Sequence, residues 1–177
     1  MKVLLSERQI QSALDDLYRK IVASLPADNR IGVIGIRTRG QTLAQRIVNR
    51  LKADRPDLQI DQGVLDITFY RDDLSRSGRA PLVRATEIDF NLDDLWVLLV
   101  DDVLQTGRSV RAAMDALTDF GRTKAIRLAV LIDRGGRELP VSADYAGTTV
   151  KVSPHVRVQL KLRETDDEEG AFTIHSD

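Results

Sequence analysis

The chain has 177 residues, enough for one substantial core, and sets 26 Lys plus Arg against 27 Asp plus Glu, a formal net charge of −1. A general nucleic-acid binder is basic overall, so this balance leaves room only for a local basic patch. There is no cysteine, which excludes disulfides and thiolate metal sites, and no apolar stretch has the length of a signal peptide or membrane span, so a cytoplasmic protein with one domain over residues 1–177 is expected.

Ser6 to Leu25 carries Ile10, Leu14, Leu17, Ile21 and Leu25 on one stripe, and Ser6 followed by Gln9 is a capping-box pattern, so an amphipathic helix is predicted. Asp15 with Arg19 and Asp16 with Lys20 stand four apart and are expected to pair on its solvated face. Arg30 to Ile36 predicts a strand and Gln41 to Leu51 a helix, joined by Arg37, Thr38, Arg39 and Gly40. That joint, GIRTRGQT, departs from the Walker A loop by having Gln41 where lysine belongs, which removes the cation that reaches terminal phosphates. Two arginines and free backbone amides would still suit an anion there. Asp61 to Tyr70 predicts a third strand; Arg71 to Arg84, polar and without periodicity, predicts a long functional loop.

Trp96 to Val100 is an apolar run too short for a helix, so it predicts a buried strand. It ends in Asp101 and Asp102 and leads through Val103, Leu104, Gln105, Thr106, Gly107, Arg108 and Ser109 into Val110, Ala113, Met114 and Leu117, which fall on one helical face. A helix start has unpaired amides and the positive end of the macrodipole, so a Thr, Gly and Ser turn placed there can cradle a phosphate. The two carboxylates would repel that phosphate and suit hydroxyl groups or a hard cation such as magnesium. A ribose phosphate satisfies both demands.

Ala125 to Ile132 predicts a further strand ending in Asp133 and Arg134, with Gly135 and Gly136 opening a turn before Arg137, and Val150 to Val152 and Val156 to Leu160 alternate like short strands. The acidic run Asp166 to Glu169 is expected to be a solvated turn, His155 and His175 lack companions at metal-ligand spacing, and Trp96 and the phenylalanines are core candidates. Strands alternating with helices imply an α/β fold, a mostly parallel twisted sheet covered on both faces with ligands outside the carboxyl ends of the strands. The loops at Arg37 to Gly40, Asp101 to Ser109 and Asp133 to Arg137 each follow a strand and are expected to meet at one rim.

LLVDDVLQTGRSV resembles the phosphoribosyl-pyrophosphate (PRPP) motif of type I phosphoribosyltransferases, and with DITFYRDDLS before it and AVLIDRGGRELPVSADY after it the chain resembles the PyrR family from Leu5 to about Leu160. The resemblance implies a type I phosphoribosyltransferase fold with a flexible hood loop, beginning here at Tyr70, Arg71 and Asp72. It implies conversion of uracil and PRPP to UMP and pyrophosphate, with Mg bound mainly by the substrate's own oxygens. It also implies a homo-oligomer, a dimer or larger, and UMP-dependent binding to the leader mRNA of a pyrimidine operon, which attenuates transcription. By the same resemblance Asp101 and Asp102 hold the ribose hydroxyls and stabilise the cationic transition state. The segment from Val103 to Val110 binds PRPP, with the amides of Thr106 to Val110 on the 5′-phosphate. Arg37, Thr38, Arg39 and Gly40 receive pyrophosphate, with Arg39 grouped with the two aspartates as catalytic, and Asp133, Arg134 and Arg137 face the base. Purine enzymes of the class have an acid where this chain has Gln105, and glutamine cannot accept a proton, which disfavours a purine. RNA-binding members match at Arg137 but carry threonine and histidine where Asp15 and Arg19 stand, and arginine where Ser142 stands. A regulator that only senses UMP is the alternative to an enzyme.

Overall fold

The computed structural model describes residues 1–72 and 85–175. In chain order the elements are β1 (Lys2–Leu5), α1 (Glu7–Ala23), β2 (Arg30–Ile36), α2 (Arg39–Asp54), β3 (Gln59–Leu65), β4 (Trp96–Leu104), α3 (Arg108–Leu117), β5 (Ala125–Asp133), β6 (Tyr145–Thr149), β7 (Val156–Lys161), α4 (Arg163–Asp166) and β8 (Gly170–His175), with single 3-10 turns at Thr68–Tyr70 and Thr118–Phe120. No helix among the described residues is long and apolar enough to cross a membrane.

Five strands form a parallel sheet in the order β3-β2-β4-β5-β6. Successive side chains on a strand point to opposite faces, so the apolar runs supply two cores at once. Ile31 and Val33 of β2 and Leu98 and Val100 of β4 pack with the buried stripes of α1 and α2. Ile34, Ile36, Val97 and Leu99 pack on the other side with Val110, Ala113 and Leu117 of α3. Met114, expected on that apolar face, is 38% exposed because it lies at the edge of the helix stripe. After β3 the chain returns to the other side of β2, so the order reverses between β2 and β4, and a crevice opens at the carboxyl ends of those two strands.

Four expectations are corrected. β3 ends at Leu65, because the Asp66 carboxylate accepts the Thr68 amide at 2.8 Å and turns the chain into the Thr68–Tyr70 helix turn. Phe69 consequently faces solvent at 71% exposure rather than joining the core. The strand after β5 is Tyr145–Thr149, and Val150 adds only a last hydrogen bond from its amide to Asp133 O at 2.9 Å. On α1, whose capping box is present with the Ser6 amide on Gln9 Oε1 at 2.9 Å, the four-apart pairs do not form. Asp15 accepts from Arg50 at 2.7 Å, Asp16 from Arg19, and Lys20 donates to Ala146 O at 2.6 Å. The neighbouring α2 and β6 offer partners that the isolated helix lacks.

A second sheet, antiparallel in the order β1-β8-β7, was not foreseen. It joins the two ends of the chain and carries Leu160 and Ala171 into the first core. The acidic run behind it is a solvated turn only at Asp167 and Glu168. Arg46 of α2 donates to Glu164 at 2.7 and 2.8 Å and to Glu169 at 2.8 and 2.9 Å, and the Glu169 side chain is only 6% exposed. Desolvating Glu169 is tolerable only because the guanidinium matches it.

Replacing Arg46 by Ala is therefore expected to cost about 3 kcal/mol by leaving Glu169 buried and unpaired. Arg30→Ala, which breaks an exposed pair with Asp61, is expected to cost less than about 1 kcal/mol; urea unfolding of the two variants measures the difference.

Candidate active site

The site grows from the carboxyl ends of β2 and β4. On β4 the acidic pair lies inside the strand, since Asp101 pairs with Val130, Val103 with Ile132 and Leu104 with Asp133 of β5. The strand then yields to a turn in which Gly107 adopts φ +91°, a conformation L side chains avoid. A Cβ on Gly107 would also meet Val141 Cβ at 3.2 Å. That turn delivers α3, whose first amides have no partner within the helix; the Arg108 amide is turned aside, to Thr106 Oγ1 at 3.3 Å.

On β2 the chain enters α2 within two residues, through a cis Arg37–Thr38 peptide bond. A Cβ on Gly40 would lie 2.5 Å from Val100 O and 3.1 Å from Asp101 Cα, so only glycine lets the start of α2 rest on β4 beside the acidic pair. The consequence is a cleft of about 490 Å³ lined by Arg39, Arg71, Asp101 and Asp102, by the turn residues Val103 to Gly107, and by Ser109 and Val110. It adjoins a second cleft of about 320 Å³, lined by Arg37, Thr38, Asp66, Ile67 and Thr68, with Arg71, Asp101, Asp102, Val103 and Ser109 shared between the two. Two of the three expected loops thus converge on one crevice.

Asp101 is 8% exposed. Burial first, and the adjacent Asp102 carboxylate second, push its carboxyl well above the usual carboxylate range. Each aspartate accepts a backbone amide, Asp102 N–H on Asp101 Oδ1 at 2.9 Å and Val103 N–H on Asp102 Oδ1 at 2.8 Å. The remaining carboxylate lone pairs face a crevice that a donor-rich ligand can fill.

The arginines are less available than their number implies. Arg37, expected among the donors to pyrophosphate, lines the second cleft but is already engaged. Its guanidinium donates to Ala85 O at 3.0 Å, Gln41 Oε1 at 3.2 Å and Glu87 Oε1 at 2.6 Å, and thereby ties the loop to residues 85–87. Gln41, in the position of the absent lysine, is one of its acceptors. Arg108 turns out of the cleft to Glu138 at 2.8 Å and Asp72 at 2.6 Å. Arg39 is gripped by Asp166 through Nε at 3.0 Å and Nη2 at 2.6 Å.

Asp133, Arg134 and Arg137 line neither cleft. Arg137 braces the turn from behind, donating to Gln105 O at 2.9 Å, Leu104 O at 3.5 Å, Val141 O at 2.8 Å and Asp133 Oδ2 at 2.6 Å. The Glu138 and Leu139 amides add bonds to Thr106 O at 3.0 and 3.1 Å. Arg134 is 4% exposed, and burial lowers its pKa. It donates to Ser153 O at 3.3 Å, while its Nε and Nη1 find no acceptor among the described residues.

Of the hood loop, Tyr70, Arg71 and Asp72 are described, and residues 73–84 lie outside the described residues. Tyr70 donates its hydroxyl to Asp119 and its carbonyl accepts from Arg111 at 3.2 Å. The far wall of the larger cleft went unrecognised in the sequence. Arg157, Val158, Gln159 and Leu160 of β7 and Ile174 of β8 supply it, and a short alternating strand gives no sign of which pocket it faces.

The phosphoribosyl transferase domain family matches residues 2–163. The bifunctional protein PyrR of Deinococcus radiodurans is 47% identical over 163 residues, spanning 92% of this chain and 88% of that protein. The bifunctional protein PyrR of a Roseiflexus species is 48% identical over 180 residues, spanning 97% of each. Among solved structures, a hypoxanthine phosphoribosyltransferase from Trypanosoma cruzi aligns with a TM-score of 0.72 at 18% identity, over 98% of this chain and 95% of that one. A hypoxanthine-guanine phosphoribosyltransferase from Bacillus anthracis aligns with a TM-score of 0.70 at 16% identity, over 98% of both chains. At such identities these two likenesses establish the fold alone, whereas the sequence matches reach further: the chain belongs to the phosphoribosyl transferase domain family, in the branch formed by the PyrR proteins.

Proposed function

We propose that the chain transfers the ribosyl 5-phosphate group of PRPP to uracil, giving UMP and pyrophosphate, and that it regulates pyrimidine operon expression through leader mRNA. The observation that carries the enzymatic half is the convergence, on one crevice at the sheet's switch point, of the acidic pair, the small-residue turn before α3 and Arg39. That crevice lies in a chain 47% identical to a relative named for two functions.

In this reading the 5′-phosphate sits at the start of α3, where amides fixed by the fold meet it without reorganising. The ribose hydroxyls donate to Asp101 and Asp102. Those bonds favour the ionised form of a carboxyl that burial disfavours, and the negative charge then stabilises positive charge developing on the ribosyl carbon. Arg39 and the loop Thr38 to Gly40 receive the departing pyrophosphate, and the segment beginning at Tyr70, Arg71 and Asp72 excludes water. Asp101 and Asp102, which line both clefts, would hold a magnesium ion that arrives on the oxygens of PRPP, and such an ion would neutralise the pyrophosphate charge. Gln105, which cannot accept a proton, suits a base that needs no acidic partner at that point.

The RNA half rests on the relatives' name and on no single surface of the chain. Arg137 is only 24% exposed and bonded inward, and Asp15 is matched by Arg50. Any phosphate contacts would have to come from other cations.

Conversion of labelled uracil to UMP with PRPP and magnesium, run against hypoxanthine and guanine, tests the enzymatic half. Uracil is expected to be the base used, and product from a purine instead would overturn that choice. An Asp101→Asn, Asp102→Asn variant should lose about two to three orders of magnitude in kcat/KM while remaining folded by circular dichroism. For the second half, gel-shift titrations of pyrimidine leader RNA are expected to tighten with UMP and weaken steeply with salt. Binding indifferent to UMP would leave an enzyme without this regulation.

A further inference from the structure

Arg39 is the one cation of the two converging loops that both lines the larger cleft and belongs to a helix start, and its partner lies far away in sequence, in α4. Asp166 engages it in a two-pronged bond at 2.6 and 3.0 Å, with side-chain exposures of 26% for Arg39 and 15% for Asp166. Asp166 is itself held, accepting the Leu162 amide at 3.0 Å and the Thr165 hydroxyl at 2.7 Å. Burial alone would raise its carboxyl, but these bonds, led by that from Arg39, bring it down to about 2. It is therefore ionised wherever the protein is assayed.

We propose that Asp166 is a positioning residue for anion binding: it fixes the Arg39 guanidinium by Nε and Nη2 so that Nη1 is presented to the pyrophosphate group of the substrate. This rests on the reading of the cleft given above and deepens it. Two effects compete. The carboxylate partly cancels the charge of Arg39, which weakens anion binding, and it freezes a side chain that would otherwise lose rotamer freedom on binding. The guanidinium is planar and rigid, so two prongs fix the direction of the third nitrogen, and α4 and the segment after it are anchored independently by Arg46 on Glu164 and Glu169. Orientation is the larger effect in a half-buried fork, and the sign is measurable.

The test is steady-state kinetics of the full chain in both directions. Asp166→Asn is expected to raise the KM for PRPP and for magnesium pyrophosphate about five- to tenfold while the KM for uracil changes less than about twofold. Asp166→Glu, which restores the charge on a longer arm, should recover part of the loss. In a double-mutant cycle, Asp166→Asn should add little to Arg39→Ala, because the aspartate acts only through that arginine. Tighter binding of either anion in Asp166→Asn, additive losses in the cycle, or an equal rise in the KM for uracil would overturn the proposal. Glu164→Gln serves as the control for disturbance of α4 and is expected to leave these constants unchanged. Should Asp166→Asn not fold, Asp166→Glu and Arg39→Lys carry the same cycle. If the wild-type chain makes no UMP from uracil, the functional reading fails by itself, and calorimetric titration of magnesium pyrophosphate into wild type and Asp166→Asn still decides the role of Asp166. Equal affinities there would overturn it.

Discussion

The first turn of α2 lies against the backbone of β4, and the placement of the whole crevice follows from that contact. A Cβ on Gly35 would come within 2.5 Å of Gln41 Cα, and one on Gly40 within 2.5 Å of Val100 O. With both atoms absent, a helix that begins at β2 can sit over the neighbouring strand, at the point where the strand order reverses. Arg39 then falls close enough to Asp102 to feel its charge, although the two belong to different crossovers. Side chains at these positions would push helix and strand apart and separate the anion loop from the acidic pair.

Arginines of the loops around the crevice are each matched by a carboxylate. Arg37 is matched by Glu87, Arg108 by Glu138 and Asp72, Arg137 by Asp133, and Arg39 by Asp166. These guanidinium groups therefore hold loops in place, and the donors left for an anion are backbone amides together with the cations of the cleft wall such as Arg157. Amides set by a turn with Gly107 at φ +91° are already oriented, and free arginine side chains would first have to be ordered. Asp101 lies outside this matching, as its neighbour Asp102 does. It is a buried carboxyl with no cation bonded to it among the described residues, held by one amide and exposed to the field of Asp102. A ligand that brings hydroxyl donors supplies what the fold withholds.

The segment after β5 illustrates how an arginine can matter to a site without touching its ligand. Arg137 bonds to the carbonyls of Leu104 and Gln105, and the next two amides bond to Thr106 O, so the turn before α3 is laced from behind to the loop that follows β5. Removing any one of these bonds loosens the geometry of the amides on the other side. The same lacing accounts for the absence of Asp133 and Arg137 from the cleft walls, where the antiparallel strands β7 and β8 stand instead.

What could be read from the chain directly was whatever depends on near neighbours in sequence. The period of Ile10, Leu14, Leu17 and Ile21, the capping box at Ser6, the apolar run ending at Asp101, and the Thr, Gly and Ser turn ahead of a helix each express a local rule, and each leads to an element found in place. Alternation of strands and helices was enough for the α/β class and for the rim where the loops after β2 and β4 meet. The pairing of Lys2–Leu5 with Gly170–His175 carried no local signal, since a four-residue strand has too few residues to display a period. Nor did the run Asp166 to Glu169 reveal whether it faced water or arginine. A long charged side chain takes the best partner within reach of its tip, and which tips come within reach is a property of packed helices and sheets, not of spacing along the chain. The residues of this site were therefore legible as chemistry, while their availability to a ligand was decided only when the chain closed around them.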